Sequence, residues 1–158
     1  MIVSNSSPII SLGTVGKLEL LRKGCKEVLI PSGVYEEISE KKESPEFISL
    51  QKGIEEKWIK VEKIELLPLL KTNTLGQGEK EAISLAAQHK AILIIDDDTA
   101  KAYATIMGVE AHGTLYILIL AVHKNIVSKK EAIEILTHMM NAGFYISTEV
   151  YGMFLREI

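Results

Sequence analysis

The 158 residues, 47% hydrophobic and 25% charged, are enough to bury one sizeable core, which excludes a disordered tail or a disulfide-stapled mini-protein. The lone Cys25 rules out an internal disulfide, and a start without charged-then-apolar secretory character makes the reducing cytoplasm the expected compartment. A net charge of −3 argues against duplex binding by blanket phosphate neutralisation, and the apolar run from Tyr116 to Val122 falls well short of the ~18 residues of a membrane span.

In chain order, "MIVS" predicts a first strand. "SSPIISL" then predicts a helix with Ser7 as N-cap and Pro8 at the first helical position, where the missing N–H costs nothing. "KEVLI" predicts a second strand, "PSGVYEEISEK" a helix, "KKESPEFISLQKGIEEK" a more exposed helical excursion and "WIKVEKI" a strand. "LPLLKTN" reads as a connector. Thr74 and Gln77 have the spacing of a capping box, so a helix is predicted from there to His89. "AILII" is an unbroken apolar run of the kind buried on both faces of a sheet. After it come a helix "DTAKAYATIM", a short strand "VEAHG", helices "TLYILILAVHKN" and "SKKEAIEILTHMMNA", an edge strand "FYIS" and a terminal helix "TEVYGMFLRE".

Strands alternating with helices predict an α/β fold, a three-layer α/β/α sandwich around a mostly parallel sheet, as a single domain over residues 1–158. Ligands of such sheets sit beyond the carboxyl ends of the strands. The chain leaves its most apolar strand there through Asp96, Asp97 and Asp98. Carboxylates at a helix start gain ~0.3–1 kcal/mol each from the helix dipole, so a helix cap is one reading. A cation among three crowded like charges is the other.

Two more acids bear on that choice. With Glu79 at zero on a helix turning ~100° per residue, Ile83 falls near ~40° and Ala86 near ~340°, so Glu79 shares the apolar face. Glu81 falls near ~200°, with Lys80, Ser84 and Gln88, on the face expected to meet solvent. In "VYEEI" the apolar side is set by Val34, Tyr35 and Ile38. Glu37 borders that side and Glu36 lies nearly opposite, which makes Glu37 the better site candidate.

Taken together and in order, "IVSNSSPIISL", "IPSGVYEEI", "LGQGEKEAISLA", "LIIDDDTAK" and "AGFYISTEVY" resemble the PIN-domain family of metal-dependent ribonucleases. They look most like its small prokaryotic branch related to the toxins of VapBC-type toxin–antitoxin pairs. The resemblance implies acidic residues holding Mg²⁺ or Mn²⁺ to hydrolyse phosphodiesters of single-stranded or structured RNA. It also implies an antitoxin partner and a homodimer. Carried over residue by residue, the first-strand Asp of the family falls on Asn5 and its nearby hydroxyl on Ser7. The early helical Glu falls on Glu37, and the acid opening the central helix on Glu79, with a shift to Glu81 left open. The acid after the next strand falls within Asp96, Asp97 and Asp98, Asp96 and Asp97 before Asp98. The implied metal set is therefore Asn5, Glu37, Glu79 and Asp96 to Asp98, with Glu37, Glu79, Asp96 and Asp97 catalytic, and Ser7 and Thr99 against the substrate.

Asn5 departs from the family pattern by offering a neutral carbonyl oxygen where a carboxylate is expected. It could equally form an Asx turn between strand and helix. A catalytically inactive PIN-like domain that binds RNA or a protein is therefore the alternative to a nuclease. Other chemistries find little support: Cys25, His89, His112, His123 and His138 lack paired metal-ligand spacing, and "GTVG" and "LGQG" lack a phosphate loop's Lys and Ser/Thr ending. "TLYILILAV" is apolar around much of its circumference, which predicts a central helix or a subunit interface.

Overall fold

A computed structural model describes residues 1–71 and 74–158 of the chain. Five short apolar segments pair in parallel: β1 (Ile2–Ser4), β2 (Val28–Pro31), β3 (Ile59–Glu62), β4 (Ile92–Ile94) and β5 (Ala111–His112). Their order across the sheet is β3-β2-β1-β4-β5. The chain winds outward from β1 to β3, then returns past β1 to lay β4 on its other side, with Ser4 opposite Ile94. Winding reverses between β1 and β4, and a crevice opens at the carboxyl end of such a junction.

The helices are α1 (Ser6–Thr14), α2 (Glu19–Gly24), α3 (Ser32–Ser39), α4 (Pro45–Glu55), α5 (Gln77–His89), α6 (Asp98–Ile106), α7 (Thr114–His123), α8 (Lys129–Asn141) and α9 (Thr148–Glu157). Period-two alternation along the strands sorts the core into two layers. Ile2, Val28, Ile30, Ile59 and Ile94 face one cluster with Leu12 of α1, Leu50 of α4, Leu118 of α7, Leu136 of α8 and Phe154 of α9. Val3, Leu29, Leu93 and Ile95 face the other, with Ile83, Leu85 and Ala86 of α5 and Ala100 and Ala104 of α6. The result is the predicted α/β/α sandwich, with a sheet that is parallel throughout.

Several local expectations are corrected. α1 starts at Ser6 with Asn5 as its flanking residue, so Ser7 is inside the helix and its hydroxyl turns to Asp96 instead of capping. α5 starts at Gln77, and its first turn is closed by the Glu79 carboxylate accepting from the Gly76 N–H at 3.0 Å, so the Thr74–Gln77 box is not formed. "FYIS" is no strand. Phe144 donates its N–H to the Met139 carbonyl to end α8, and the Ser147 side chain caps α9, so both ends of the segment are committed to helix termini. α2 was not foreseen; it is six residues long and no side chain caps it. The segment around α4 is less exposed than expected, since Phe47, Leu50 and Gly53 are buried. Of "LPLLKTN", Pro68–Leu70 forms a 3₁₀ turn, while Thr72 and Asn73 lie outside the described residues. The apolar α7 proves to be a central helix: Leu115, Ile117, Leu118 and Ala121 are all buried in the first cluster. Among the described residues no helix is long and apolar enough to cross a membrane.

Candidate functional site

β1 and β4 deliver their exits side by side. The Asn5 N–H donates to the Ile94 carbonyl at 3.0 Å, which holds the first exit against the second, and Asp96 follows Ile95 on the neighbouring strand. Over this edge lies a cleft of about 790 Å³ lined by Asn5, Glu37, Glu79 and Asp96, with the α1 hydroxyls of Ser6, Ser7, Ser11 and Thr14 on one side. Met139, Phe144 and Tyr145 also line it. Four oxygen-bearing side chains from β1, α3, α5 and β4 thus meet at the winding reversal.

Each is positioned by identifiable neighbours. Asp96 Oδ2 accepts from the Ser7 hydroxyl at 2.7 Å and the Thr114 hydroxyl at 2.6 Å, and its Oδ1 accepts from the Thr114 N–H at 2.7 Å. The close approach of the α7 start needs Gly113, because a Cβ there would lie 3.0 Å from Asp96 Oδ1. Glu37 Oε2 accepts from the Ser6 hydroxyl at 2.5 Å. Gly78 lies beside both Glu37 and Asn5: a Cβ there would touch Glu37 Oε2 at 3.5 Å and Asn5 Oδ1 at 3.7 Å, with Val34 tighter at 3.3 Å. Asn5 is only 7% exposed, and Ser6 5%, so the strand exit is the closed end of the cleft.

The three aspartates separate. Asp97 Oδ1 accepts from the Ala100 N–H at 2.7 Å and caps α6. The Asp98 side chain is 99% exposed and pairs with Lys101 at 3.5 Å. Thr99 is exposed in the first turn of α6, and none of these three residues lines the acidic cleft. The cap reading of "DDD" holds for Asp97, while Asp96 faces the cleft.

Glu81, expected on the solvated face, is half-buried: its Oε1 accepts from the exposed Gln77 side chain at 3.0 Å while its other oxygen turns inward. Its Oε2 accepts from the Gly33 N–H at 2.7 Å, in the first turn of α3, whose flanking Pro31 has no side chain able to cap. Ser84, assigned to the same face, is 1% exposed and accepts from the Leu67 N–H at 3.0 Å. Sequence reasoning missed Ser6 and Thr114 altogether. Thr114 follows a glycine at a strand-to-helix turn on the carboxyl edge, which is the signal that could have marked it.

The charged and hydroxyl donors around the cleft are oxygens, and no His or Cys lines it, so the set suits a hard divalent cation better than a thiolate- or imidazole-seeking metal. Among the described residues no three His, Cys, Asp or Glu side chains stand close enough to hold an ion on their own. Mg²⁺ keeps several waters and takes one or two carboxylates, so Glu37, Glu79 and Asp96 would serve a hydrated ion rather than a closed cage.

The fold is similar to that of a PilT N-terminus domain protein from the hyperthermophilic archaeon Sulfolobus solfataricus P2, with a TM-score of 0.52 and 21% identity over 74% of this chain and 90% of that one. A domain of a functionally unknown protein from Methanocaldococcus jannaschii DSM 2661 aligns with a TM-score of 0.47 and 21% identity, over 71% of this chain and 89% of that one. No curated protein matches the chain. The model of the family DUF3368, described as a PIN domain, matches residues 1–158, and the chain belongs to that PIN-domain family.

Proposed function

We propose that the protein is a metal-dependent ribonuclease that hydrolyses RNA phosphodiester bonds in the cleft bounded by Asn5, Glu37, Glu79 and Asp96. PIN domains are generally nuclease domains, typically use divalent metal ions and often bind RNA. The observation that carries the proposal is the meeting of those four side chains at the β1–β4 edge, three of them carboxylates with no Lys or Arg among the lining residues. Asn5, Glu37, Glu79 and Asp96 would hold Mg²⁺ or Mn²⁺. When bound, such an ion acidifies a water and neutralises charge on phosphate oxygens.

The chain's own contribution is preorganisation. Ser7 and Thr114 fix both oxygens of Asp96, and Ser6 fixes Glu37, so the carboxylates are ordered on folding rather than at the moment of reaction. Asn5 supports a second reading. A neutral oxygen at the closed end of the cleft attracts a cation less than a carboxylate would, which favours a silent domain that binds RNA without cutting it.

Calorimetric titration with Mn²⁺ tests the site. The parent should bind, Asp96→Asn should bind at least about tenfold more weakly, a loss that even groups supporting a metal ligand typically cause, and Asp97→Asn should match the parent. Equal heats from parent and Asp96→Asn would remove the proposal. In its finest form the protein is the toxin of a toxin–antitoxin pair, acting as a cytoplasmic homodimer. Expression alone should then arrest growth, and Glu79→Ala should relieve the arrest.

A further inference from the structure

Resting on the ribonuclease reading, we infer that a second cleft beside the acidic one is a nucleobase-stacking subsite for single-stranded RNA flanking the bond to be cut. This neighbouring cleft, of about 700 Å³, runs between α7 and α9 and shares Asp96, Phe144 and Tyr145 with the first. The two clefts adjoin at those residues.

Three observations identify the occupant. The first is an aromatic platform: the rings of His112 and Tyr116, both lining the second cleft, stack 4.0 Å apart at 8°. His112 is held at its ring edge, Nε2 against Glu110 at 2.8 Å, and one of its faces is taken by Tyr116, so a base would stack on the end of this pair, where the His112 side chain is 34% exposed. The second is Tyr145, 90% exposed where the clefts join, a large aromatic surface that takes no part in the core. The third is charge. The acidic cleft has no lysine or arginine in its lining, whereas Lys101 stands in the second cleft just past Gly113. A Cβ on Gly113 would lie 3.0 Å from Asp96 Oδ1 and 3.4 Å from Lys101 Nζ, so the ammonium borders the acidic cleft. Its ion-pair partner, Asp98 at 3.5 Å, is fully solvated and holds it only weakly.

A phosphate entering the carboxylate-lined cleft finds a cation at its border in Lys101, and the adjoining bases find Tyr145 and the His112–Tyr116 stack. Stacking needs an unpaired base with an open π-face, so the subsite selects single strands over duplex and tolerates any sequence.

The test uses a single-stranded oligoribonucleotide carrying 2-aminopurine, whose fluorescence falls when it stacks, titrated into the full chain with Mn²⁺ and with chelator. The parent should quench the signal. Tyr145→Ala and His112→Ala should each abolish the quenching and weaken binding by about tenfold, within the range of a lost base–aromatic stack, and Lys101→Ala should reduce the salt dependence of binding. A duplex of the same sequence should bind more weakly than the single strand. Parent-like affinity and quenching in both aromatic variants would overturn the subsite, as would failure of the parent to bind the oligonucleotide. A loss of self-association in Tyr145→Ala with RNA binding intact would overturn it in favour of an interface between copies of the chain. Cleavage is scored separately: quenching lost in the variants of a parent that cuts nothing keeps the subsite and removes the nuclease reading.

Discussion

Glu79 and Glu81 stand one residue apart on α5 and do different work. Glu79 lines the acidic cleft, while Glu81 reaches across to the start of α3 and supplies the cap that Pro31 cannot. Glu81→Ala should therefore cost about 0.5–2 kcal/mol of stability in urea titrations, as loss of a helix cap does, and leave Mn²⁺ binding near the parent value. Glu79→Ala should instead weaken Mn²⁺ binding, together with a stability loss of similar size, since the Gly76 N–H at the start of α5 loses its acceptor. Ser84→Ala is expected to cost about 1–3 kcal/mol by leaving the Leu67 N–H without its acceptor; an unchanged denaturation midpoint would argue against that bond. The inward face of Glu79 was legible because the helical period is strict. The roles of Glu81 and Ser84 were not, because a helical wheel presumes one apolar side. α5 packs against β1, β2, β4, α3 and α6, so its solvated arc is narrow and polar residues outside the apolar stripe are also drawn inside.

Among the elements, α1 carries Ser6 and Ser7 to the site and is set against α4 by a glycine. A Cβ at Gly13 would lie 2.8 Å from the Glu46 Cα, a backbone atom that cannot swing aside, so Gly13→Ala should force the two helices apart. The expected cost is about 1–3 kcal/mol, despite alanine's better helix propensity, and denaturation of the variant measures it. At the start of α8, the Ser128 N–H bonded to Glu131 holds the glutamate carboxyl below its usual value. A carboxyl lowered on folding stabilises the native state above its unfolded pKa, and that contribution disappears as pH falls through the folded value. Glu131→Gln should flatten the fall in stability on the acid side of the ordinary glutamate range and nowhere else. The elements with regular periodicity were readable in advance; "FYIS" was not, since its apolar residues serve helix termini and cleft walls rather than a ladder.

For the whole molecule, topology explains the location of the site better than any single motif does. A parallel sheet covered on both faces leaves its carboxyl edge as the place where polar side chains can gather, and the order β3-β2-β1-β4-β5 puts the β1 and β4 exits next to each other there. Asn5 and Asp96, distant in sequence, become neighbours through that crossover, while Asp97, adjacent to Asp96, is turned away to cap α6. Sequence spacing could mark the acids but not divide "DDD", because the division depends on where the strand ends and the helix begins. The proposed function has this edge cut RNA with the help of a cation, weakly because of Asn5. The most direct measurement is the single-turnover rate of Mn²⁺-dependent cleavage of single-stranded RNA by the parent and by Asn5→Asp, with excess chelator as control. Asn5→Asp should cleave at least about tenfold faster than the parent, and adding Glu79→Ala should abolish the gain. Tighter Mn²⁺ binding by Asn5→Asp with no cleavage at all would contradict the account and leave a domain that only binds.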